Sequence, residues 1–351
     1  MLLYIHIPFC DSKCSYCSFN SYVDKFHLRQ QYMQALEKQL IYELEHFHVQ
    51  PQSIETIFIG GGTPSTVAPE LYAPLFQRLQ PYLQPHAEIT SEANPNSATP
   101  VWLQGMYDLG VNRISFGVQS FNPEKLKTLA RAHSSDQASQ AIITASKIGY
   151  KNLSLDLIYA TLGDTKALLQ EDLNRAFSLP INHLSAYALT IEEGTPFAAT
   201  PQMSSERLDF TKWLFQSIAE HGSHQYEISN FGTYESIHNQ GYWQYKDYIG
   251  LGSGAVGFKK ETRFYPTSSV EGYINNPLDI ATEQLSESDI HSEKIFLGLR
   301  CNIGVDADIL NQHEKERAAI LVEEDKLKLC NNRYYNSDYL LSDELALFIM
   351  S

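Results

Sequence analysis

Three of the five cysteines in this 351-residue chain lie within eight residues of one another. Cys10, Cys14 and Cys17 are separated by three and then by two residues, and Pro8 prevents a helix from forming just before the first thiol. Such a group of thiols can be structural, can bind zinc, or can hold an iron–sulfur cluster. A cluster with only three cysteines would keep one iron free of protein ligands, as a catalytic metal requires. The spacing alone leaves all three interpretations open.

Cysteine content and charge give expectations for the compartment and the partners. An odd number of clustered cysteines without a secretory signal before them favours a reducing cytoplasm over disulfides. The net charge of −15, from 26 basic and 41 acidic residues, argues against a nucleic-acid surface, because phosphate contacts require clustered Lys and Arg. No apolar run reaches the ~18 residues that a membrane span requires. We therefore expect a cytoplasmic protein that binds no nucleic acid.

The elements that would position these cysteines alternate between short apolar runs and longer amphipathic stretches. Thr99 and Asn122 are predicted N-caps, each followed by a proline suited to the first turn of a helix. Six β/α units in sequence predict an α/β fold with a parallel sheet, and a partial (β/α)6 TIM-type barrel is favoured over an open doubly wound sheet. The predicted strands are 2–7, 54–59, 88–92, 113–117, 152–157 and 183–189, and the predicted helices are 29–47, 69–83, 100–109, 123–129, 135–148 and 166–177.

Polar residues collect at the carboxyl ends of the predicted strands, where parallel α/β folds place their sites. Glu92 ends the third strand, Gln119 follows the fourth, and Asp156 lies within the fifth, where a buried carboxylate needs a partner. Three glycines at 60–62 follow the second strand and would let the backbone approach a ligand closely. Each feature also has a plain structural interpretation, as a surface acid, a helix cap or a tight turn.

The pattern changes after residue 196. A helix at 204–221 and a strand at 225–228 precede an aromatic segment, His238 to Trp243, and a glycine-rich run at 249–257. From residue 286 onward, helices at 287–299, 306–310 and 337–350, with a hairpin over 326–336, predict a small helical, winged-helix-like domain. We predict domains at 1–230, 231–285 and 286–351, and we interpret Cys301 and Cys330 as packing residues.

The cysteine spacing and the Gly-Gly-Gly-Thr-Pro segment at 60–64 resemble the radical S-adenosylmethionine superfamily. Segments 4–10, 113–121 and 156–159 are more specific, and they resemble the family of oxygen-independent coproporphyrinogen III oxidases and their relatives. The resemblance extends from residue 2 to about residue 260. It implies a partial radical S-adenosylmethionine barrel with a small C-terminal domain.

The resemblance also implies a set of cofactors. Cys10, Cys14 and Cys17 would ligate a [4Fe–4S] cluster, and the amine and carboxylate of S-adenosylmethionine would chelate the fourth iron. Arg131 would suit the methionine carboxylate, and Gln119 and Asp156 would suit the ribose hydroxyls. The residues implied to line the S-adenosylmethionine site are Tyr4, Tyr16, Gly61, Gly62, Thr63, Glu92, Gln119, Arg131, Asp156 and Ala188.

Two departures separate this chain from the true oxidases. Phe19 stands where the oxidases carry another cysteine, and their N-terminal arm has no counterpart before the first strand. His238, Asn239, Tyr242 and Trp243 match the His-Asn-x-x-Tyr-Trp segment of the haem-chaperone, HemW-type subgroup, which the chain resembles most. The resemblance implies a haem chaperone without coproporphyrinogen III oxidase activity, in which His238 helps to bind haem. Its expected partners are haem-accepting respiratory proteins, through which it would contact the membrane peripherally, and an electron donor such as a flavodoxin or ferredoxin.

Alternatives stay open at this stage. An oxidase that decarboxylates coproporphyrinogen III is the alternative function, and a zinc-bearing interaction protein is the non-enzymatic one. His238 could instead belong to a packed aromatic cluster with a hydrogen-bonded imidazole. The sequence also leaves open whether S-adenosylmethionine is cleaved or only bound.

Overall fold

Six parallel strands alternate with helices in the first half of the chain, as predicted. The computed structural model describes residues 1–205 and 207–351. The strands are β1 (Leu2–Ile7), β2 (Ile54–Gly61), β3 (Leu83–Ala93), β4 (Arg113–Gln119), β5 (Asn152–Tyr159) and β6 (His183–Ala188). The helices are α1 (Arg29–His46), α2 (Pro69–Leu79), α3 (Pro100–Asp108), α4 (Pro123–Thr128), α5 (Ser135–Ile148) and α6 (Lys166–Phe177).

The strands pair in chain order from β1 to β6, all in parallel. Beyond β6 the sheet continues into an antiparallel strand instead of returning to β1, so the barrel is partial. The predicted α/β fold with six β/α units is therefore confirmed. Burial on both faces explains the apolar character of β1, since the neighbouring residues Leu2 and Leu3, whose side chains point to opposite faces, are both buried.

Helix starts follow the predicted capping chemistry. The side chain of Thr99 accepts a hydrogen bond from the Trp102 N–H at 3.1 Å, and Asn122 accepts one from the Lys125 N–H at 3.0 Å. Helix α2 ends at Leu79, earlier than predicted, and residues Gln80–Tyr82 form a 3₁₀ turn around Pro81.

Residues 208–284 extend the same sheet at both edges. The elements are α7 (Leu208–Glu220), β7 (His224–Gln225), β8 (Asn230–Gly232), α8 (Ile237–Trp243), β9 (Tyr248–Leu251), β10 (Gly257–Lys259), β11 (Thr262–Pro266), α9 (Val270–Asn275) and β12 (Ile280–Gln284). Strands β8 and β7 follow β6, whereas β9 pairs in parallel with β1 and is followed by β10, β11 and β12. The helix predicted at 204–221 is shorter in the structure, where it spans Leu208–Glu220. Position 206 lies outside the described residues. Two short strands replace the predicted strand 225–228.

The C-terminal region has its own apolar core and a three-stranded sheet in the order β13-β15-β14. Its elements are α10 (Glu287–Leu299), β13 (Val305–Asp306), α11 (Gln312–Glu323), β14 (Leu327–Cys330), β15 (Arg333–Asn336) and α12 (Ser342–Met350). Asn331 and Asn332 both have positive φ, 49° and 61°, as the predicted hairpin turn requires. The predicted helix 306–310 is only a 3₁₀ turn at Ala307–Ile309, and α11 was not predicted. The domain bounds 1–230, 231–285 and 286–351 stay predictions.

None of the helices in residues 1–205 and 207–351 combines the length and the apolar character that a bilayer crossing needs.

Candidate cluster and cofactor site

The cysteine loop leaves the end of β1 and is fixed by backbone hydrogen bonds on both sides. The Cys10 N–H donates to the Tyr22 carbonyl at 3.0 Å, and the Tyr22 N–H donates to the Pro8 carbonyl at 2.7 Å. The Thr63 N–H donates to the Phe9 carbonyl at 2.7 Å, which joins the loop to the glycine segment after β2. These bonds join the two ends of the loop to each other and to the glycine segment.

The glycine segment packs too closely against the cysteine loop to carry side chains. A Cβ at Gly62 would lie 2.8 Å from the carbonyl oxygens of Ile7 and Phe9 and 3.1 Å from Cys10 Sγ. Gly61 has φ of +108°, and a Cβ there would come within 2.5 Å of the His6 ring. The bare backbone of these glycines thus forms a cradle directly beside the first thiol.

A chain of hydrogen bonds links the first two thiols. Thr63 Oγ1 donates to Cys10 Sγ at 3.4 Å and accepts from Asn94 Nδ2 at 3.1 Å. Asn94 Oδ1 accepts from Arg131 Nη2 at 2.7 Å, and Arg131 Nη1 donates to Cys14 Sγ at 3.2 Å. Asn94 was not among the predicted site residues, although its position directly after the third strand could have indicated it.

These residues surround a first cavity of about 390 Å³ at the carboxyl ends of β1–β6. It contains the three cysteines and every predicted S-adenosylmethionine residue except Tyr4. No three His, Cys, Asp or Glu side chains of the described residues form a group compact enough for a single metal ion. The predicted residues that line the first cavity are Cys10, Cys14, Cys17, Tyr16, Gly61, Gly62, Thr63, Glu92, Gln119, Arg131, Asp156 and Ala188.

Two carboxyl groups with raised pKa share this cavity. Burial, followed by repulsion from Asp156, raises the pKa of Glu92 to about 8, although its Oε2 accepts from the Gly61 N–H at 3.2 Å. Burial also raises the pKa of Asp156, although the positive charge of Arg113 and the hydrogen bond from the Ser115 hydroxyl each act to lower it. A protonated Glu92 can donate as well as accept hydrogen bonds, which suits hydroxyl and amine groups of a ligand.

Two residues that line the first cavity carry buried polar atoms without partners among the described residues. Gln119 Oε1 and Arg131 Nε are buried and have no hydrogen-bond partner in the described part of the chain. Gln119 also has a positive φ of 70°, next to a break in the register between β4 and β5. Buried orphan atoms and local strain of this kind are typical of a site completed by a ligand. A cofactor with a carboxylate, an amine and ribose hydroxyls fits these groups.

A second cavity of about 790 Å³ adjoins the first and has aromatic walls. Tyr4 lies here, where its ring stacks on Phe58 at a centroid distance of 6.3 Å. His238 lies here too, and its ring also stacks with Phe58, at a centroid distance of 5.1 Å. The remaining aromatic residues of the lining are Tyr242, Tyr245, Tyr248, Phe258, Phe296 and Phe19.

His238 is buried, and both of its ring nitrogens are hydrogen-bonded. Nδ1 lies 2.7 Å from Thr56 Oγ1, and Nε2 lies 3.0 Å from the Tyr242 hydroxyl. Burial lowers the pKa of His238 to about 3, so the imidazole is neutral at physiological pH. The backbone N–H of His238, at the start of α8, donates to Glu88 Oε1 at 3.0 Å. A neutral imidazole has one ring nitrogen whose lone pair could bind iron. Because both ring nitrogens are hydrogen-bonded, that lone pair is already engaged.

Comparison with known proteins decides the family. The sequence model of the radical SAM superfamily matches residues 4–176. The heme chaperone HemW of Bacillus subtilis is 34% identical over 86% of this chain and 84% of its own length. HemW of Escherichia coli is 39% identical over 73% of this chain and 69% of its own length. This chain belongs to the HemW family of the radical SAM superfamily.

The HemW family assignment agrees with the fold of a solved structure. The coproporphyrinogen III oxidase HemN from Escherichia coli, described as a radical SAM enzyme, superposes with a TM-score of 0.82. The match covers 99% of this chain and 89% of that chain at 20% identity, so it shows a shared fold. Membership in the superfamily implies a [4Fe–4S] cluster and S-adenosylmethionine. The thiols, the glycine cradle and the orphan atoms of the first cavity fit both groups.

Proposed function

We propose that this HemW family member is a haem chaperone that binds a [4Fe–4S] cluster, S-adenosylmethionine and haem, and transfers haem to acceptor proteins. The observation that carries this proposal is the second cavity, which is large, has aromatic walls and adjoins the cysteine cavity. The curated relatives named heme chaperones support it. Respiratory acceptors, an electron donor such as a flavodoxin or ferredoxin, and a cytoplasmic location stay predictions.

The second cavity has the chemistry of a macrocycle site. Its volume of about 790 Å³ falls within the range typical of small-molecule pockets, and its aromatic walls can stack on a flat ring. Lys246 and Arg263 also line it, and each is paired with an acid, Glu55 and Glu293 respectively. These cations can exchange their partners for the propionates of a haem.

The first cavity supplies the cofactor site. Cys10, Cys14 and Cys17 would ligate the cluster, which when bound supplies an electron and an iron open to S-adenosylmethionine. Arg131 lines this cavity and would hold the methionine carboxylate. Gln119 lines it as well and would hydrogen-bond a ribose hydroxyl.

We propose that His238 positions the wall of the haem cavity and does not ligate the iron. His238→Ala and Tyr242→Phe should each weaken haem binding about tenfold, because each removes the same hydrogen bond. Absorbance titration of the anaerobically purified protein with haem would measure both affinities and the position of the Soret band. His313→Ala, an exposed change on α11, is the matched control.

A ligand role for His238 would give a different pair of results. Tyr242→Phe would then free Nε2 and preserve or tighten haem binding, while His238→Ala would shift the Soret band. Haem affinity unchanged in His238→Ala would remove this residue from the site. A wild-type protein that binds no haem would overturn the proposed function itself.

A further inference from the structure

The two cavities meet at the loop that follows the third cysteine. Ser18 and Phe19 line both the cysteine cavity and the aromatic cavity, and no other lining residue of the described chain is shared between the two. Phe19 is 63% exposed, although phenylalanine is normally among the most buried residues. A large apolar ring at such a junction has a free face toward either cavity.

The backbone on both sides of Phe19 is anchored, so that the ring is the part free to move. Lys13 Nζ donates to the Phe19 carbonyl at 2.8 Å. Asn20 Nδ2 donates to the carbonyls of Ser253 and Ser268, both at 2.9 Å. The two Asn20 contacts tie the loop to the glycine-rich segment that follows β9 and to the turn between β11 and α9. Rotation of the ring about its side-chain bonds therefore does not require the loop to unfold.

Hydrogen bonds also connect Asn20 to the wall of the aromatic cavity. His6 Nε2 lies 2.8 Å from the Asn20 carbonyl, which can only accept, so Nε2 carries the hydrogen. The Tyr4 hydroxyl then donates to His6 Nδ1 at 2.9 Å. Tyr4, His6 and Asn20 thus form a continuous connection from the second cavity to the loop. On the other side, the Phe19 N–H is hydrogen-bonded to Cys17, a predicted cluster ligand.

We infer that Phe19 couples the two cavities, because this residue lines both of them. This inference rests on the proposed function, in which S-adenosylmethionine binds in the first cavity and haem in the second. A ligand in either cavity orders the exposed ring, and the second ligand then binds without that entropic cost. The coupling is therefore positive. It is also reciprocal, since each ligand must raise the affinity of the other by the same factor.

The test is a haem titration of the cluster-loaded protein, with and without saturating S-adenosylmethionine, followed by absorbance under anaerobic conditions. In the wild type, S-adenosylmethionine should tighten haem binding about fivefold, the lower end of typical coupling. In Phe19→Ala this factor should fall to about one, whether or not the affinity for each ligand alone changes. Phe19→Tyr keeps the ring and should restore the coupling. Leu329→Ala, an exposed apolar change in the C-terminal hairpin, should leave it unchanged.

The outcomes separate this inference from the function on which it rests. Haem binding that does not respond to S-adenosylmethionine in the wild type would overturn the coupling and leave the chaperone function standing. The same fivefold effect in Phe19→Ala would show that another residue carries it, and would also overturn the inference. Absence of haem binding in the wild type would overturn both. Electron paramagnetic resonance of the reduced cluster, recorded on each sample, confirms that every variant carries the cluster.

Discussion

Glu92 and Asp156 show how individual residues set the chemistry of the first cavity. Both carboxyl groups line the same cavity, and burial raises the pKa of each. Neither carboxyl group forms an ion pair within the described residues. Arg131, which lines the same cavity, donates hydrogen bonds to Asn94 and Cys14 instead. Burying two carboxyl groups without ion-pair partners destabilises the ligand-free fold. A ligand with hydroxyl and amine groups would reduce this destabilisation by hydrogen-bonding to them.

The raised pKa of Glu92 predicts a pH dependence of stability. The folded chain keeps this carboxyl protonated up to a pKa of about 8, whereas the unfolded chain releases the proton near 4.5. Since the folded state binds more protons between these values, the free energy of unfolding falls as the pH rises through that window, by at most about 1.4 kcal/mol per pH unit. Glu92→Gln has no ionisable group at this position, so its free energy of unfolding should fall less than that of the wild type over the same pH range. Urea unfolding of both proteins across this pH range measures the difference.

The control for this prediction is Glu171→Gln, which removes an exposed carboxyl on α6. Its stability should follow the wild-type pH dependence. Parallel curves for Glu92→Gln and the wild type would show that Glu92 ionises in the folded state as it does in the unfolded chain.

At the scale of elements, the glycine segment after β2 and the cysteine loop after β1 depend on one another. They contact each other through backbone atoms, so a single methyl group at Gly62 would displace the cysteine loop. Gly62→Ala should therefore reduce the iron and sulfide content to less than about half of that in the wild type, because the thiols no longer reach their positions. Chemical analysis of anaerobically purified protein measures the loss.

Gly272→Ala provides the comparison for that change. A Cβ at Gly272, in α9, would meet its nearest neighbours at 3.4 Å, an ordinary contact distance. This variant should retain the wild-type iron content. Full iron loading in Gly62→Ala would mean that the two loops are less tightly joined than the backbone contacts indicate.

The elements of the first half could be predicted from sequence because each one has a local signal. The strands β1, β2 and β5 are rich in apolar residues, and Thr99 and Asn122 mark helix starts. Helix α11 lacks a strong apolar periodicity and was missed, although Asn311 and Glu314 form a capping box at its start. Local patterns therefore predicted the barrel better than they predicted the C-terminal region.

The second cavity could not be predicted from local patterns. Its walls come from β1, β2, α8, β10 and α10, which are distant in the sequence and meet only in the folded chain. The position of Tyr4 illustrates this, since the motif resemblance implied the first cavity and the ring lies in the second. His238 was singled out by its motif, but its bonds to Thr56 and Tyr242 follow only from the packing of α8 on β2.

The whole molecule consists of a barrel that holds one cavity and later elements that enclose a second beside it. Helix α10 of the C-terminal region contributes Glu293, Phe296 and Leu297 to the second cavity. Arg263 of β11 forms an ion pair with Glu293, which fixes this helix to the extended sheet. The C-terminal region therefore completes the proposed haem site.

The most direct test of the proposed function is a paired assay on anaerobically purified, cluster-loaded wild-type protein. One sample is titrated with haem, and the other is incubated with coproporphyrinogen III, S-adenosylmethionine and a reductant. The proposed function predicts saturable haem binding and no release of carbon dioxide from coproporphyrinogen III. Release of carbon dioxide without haem binding would contradict it, and would identify an oxidase.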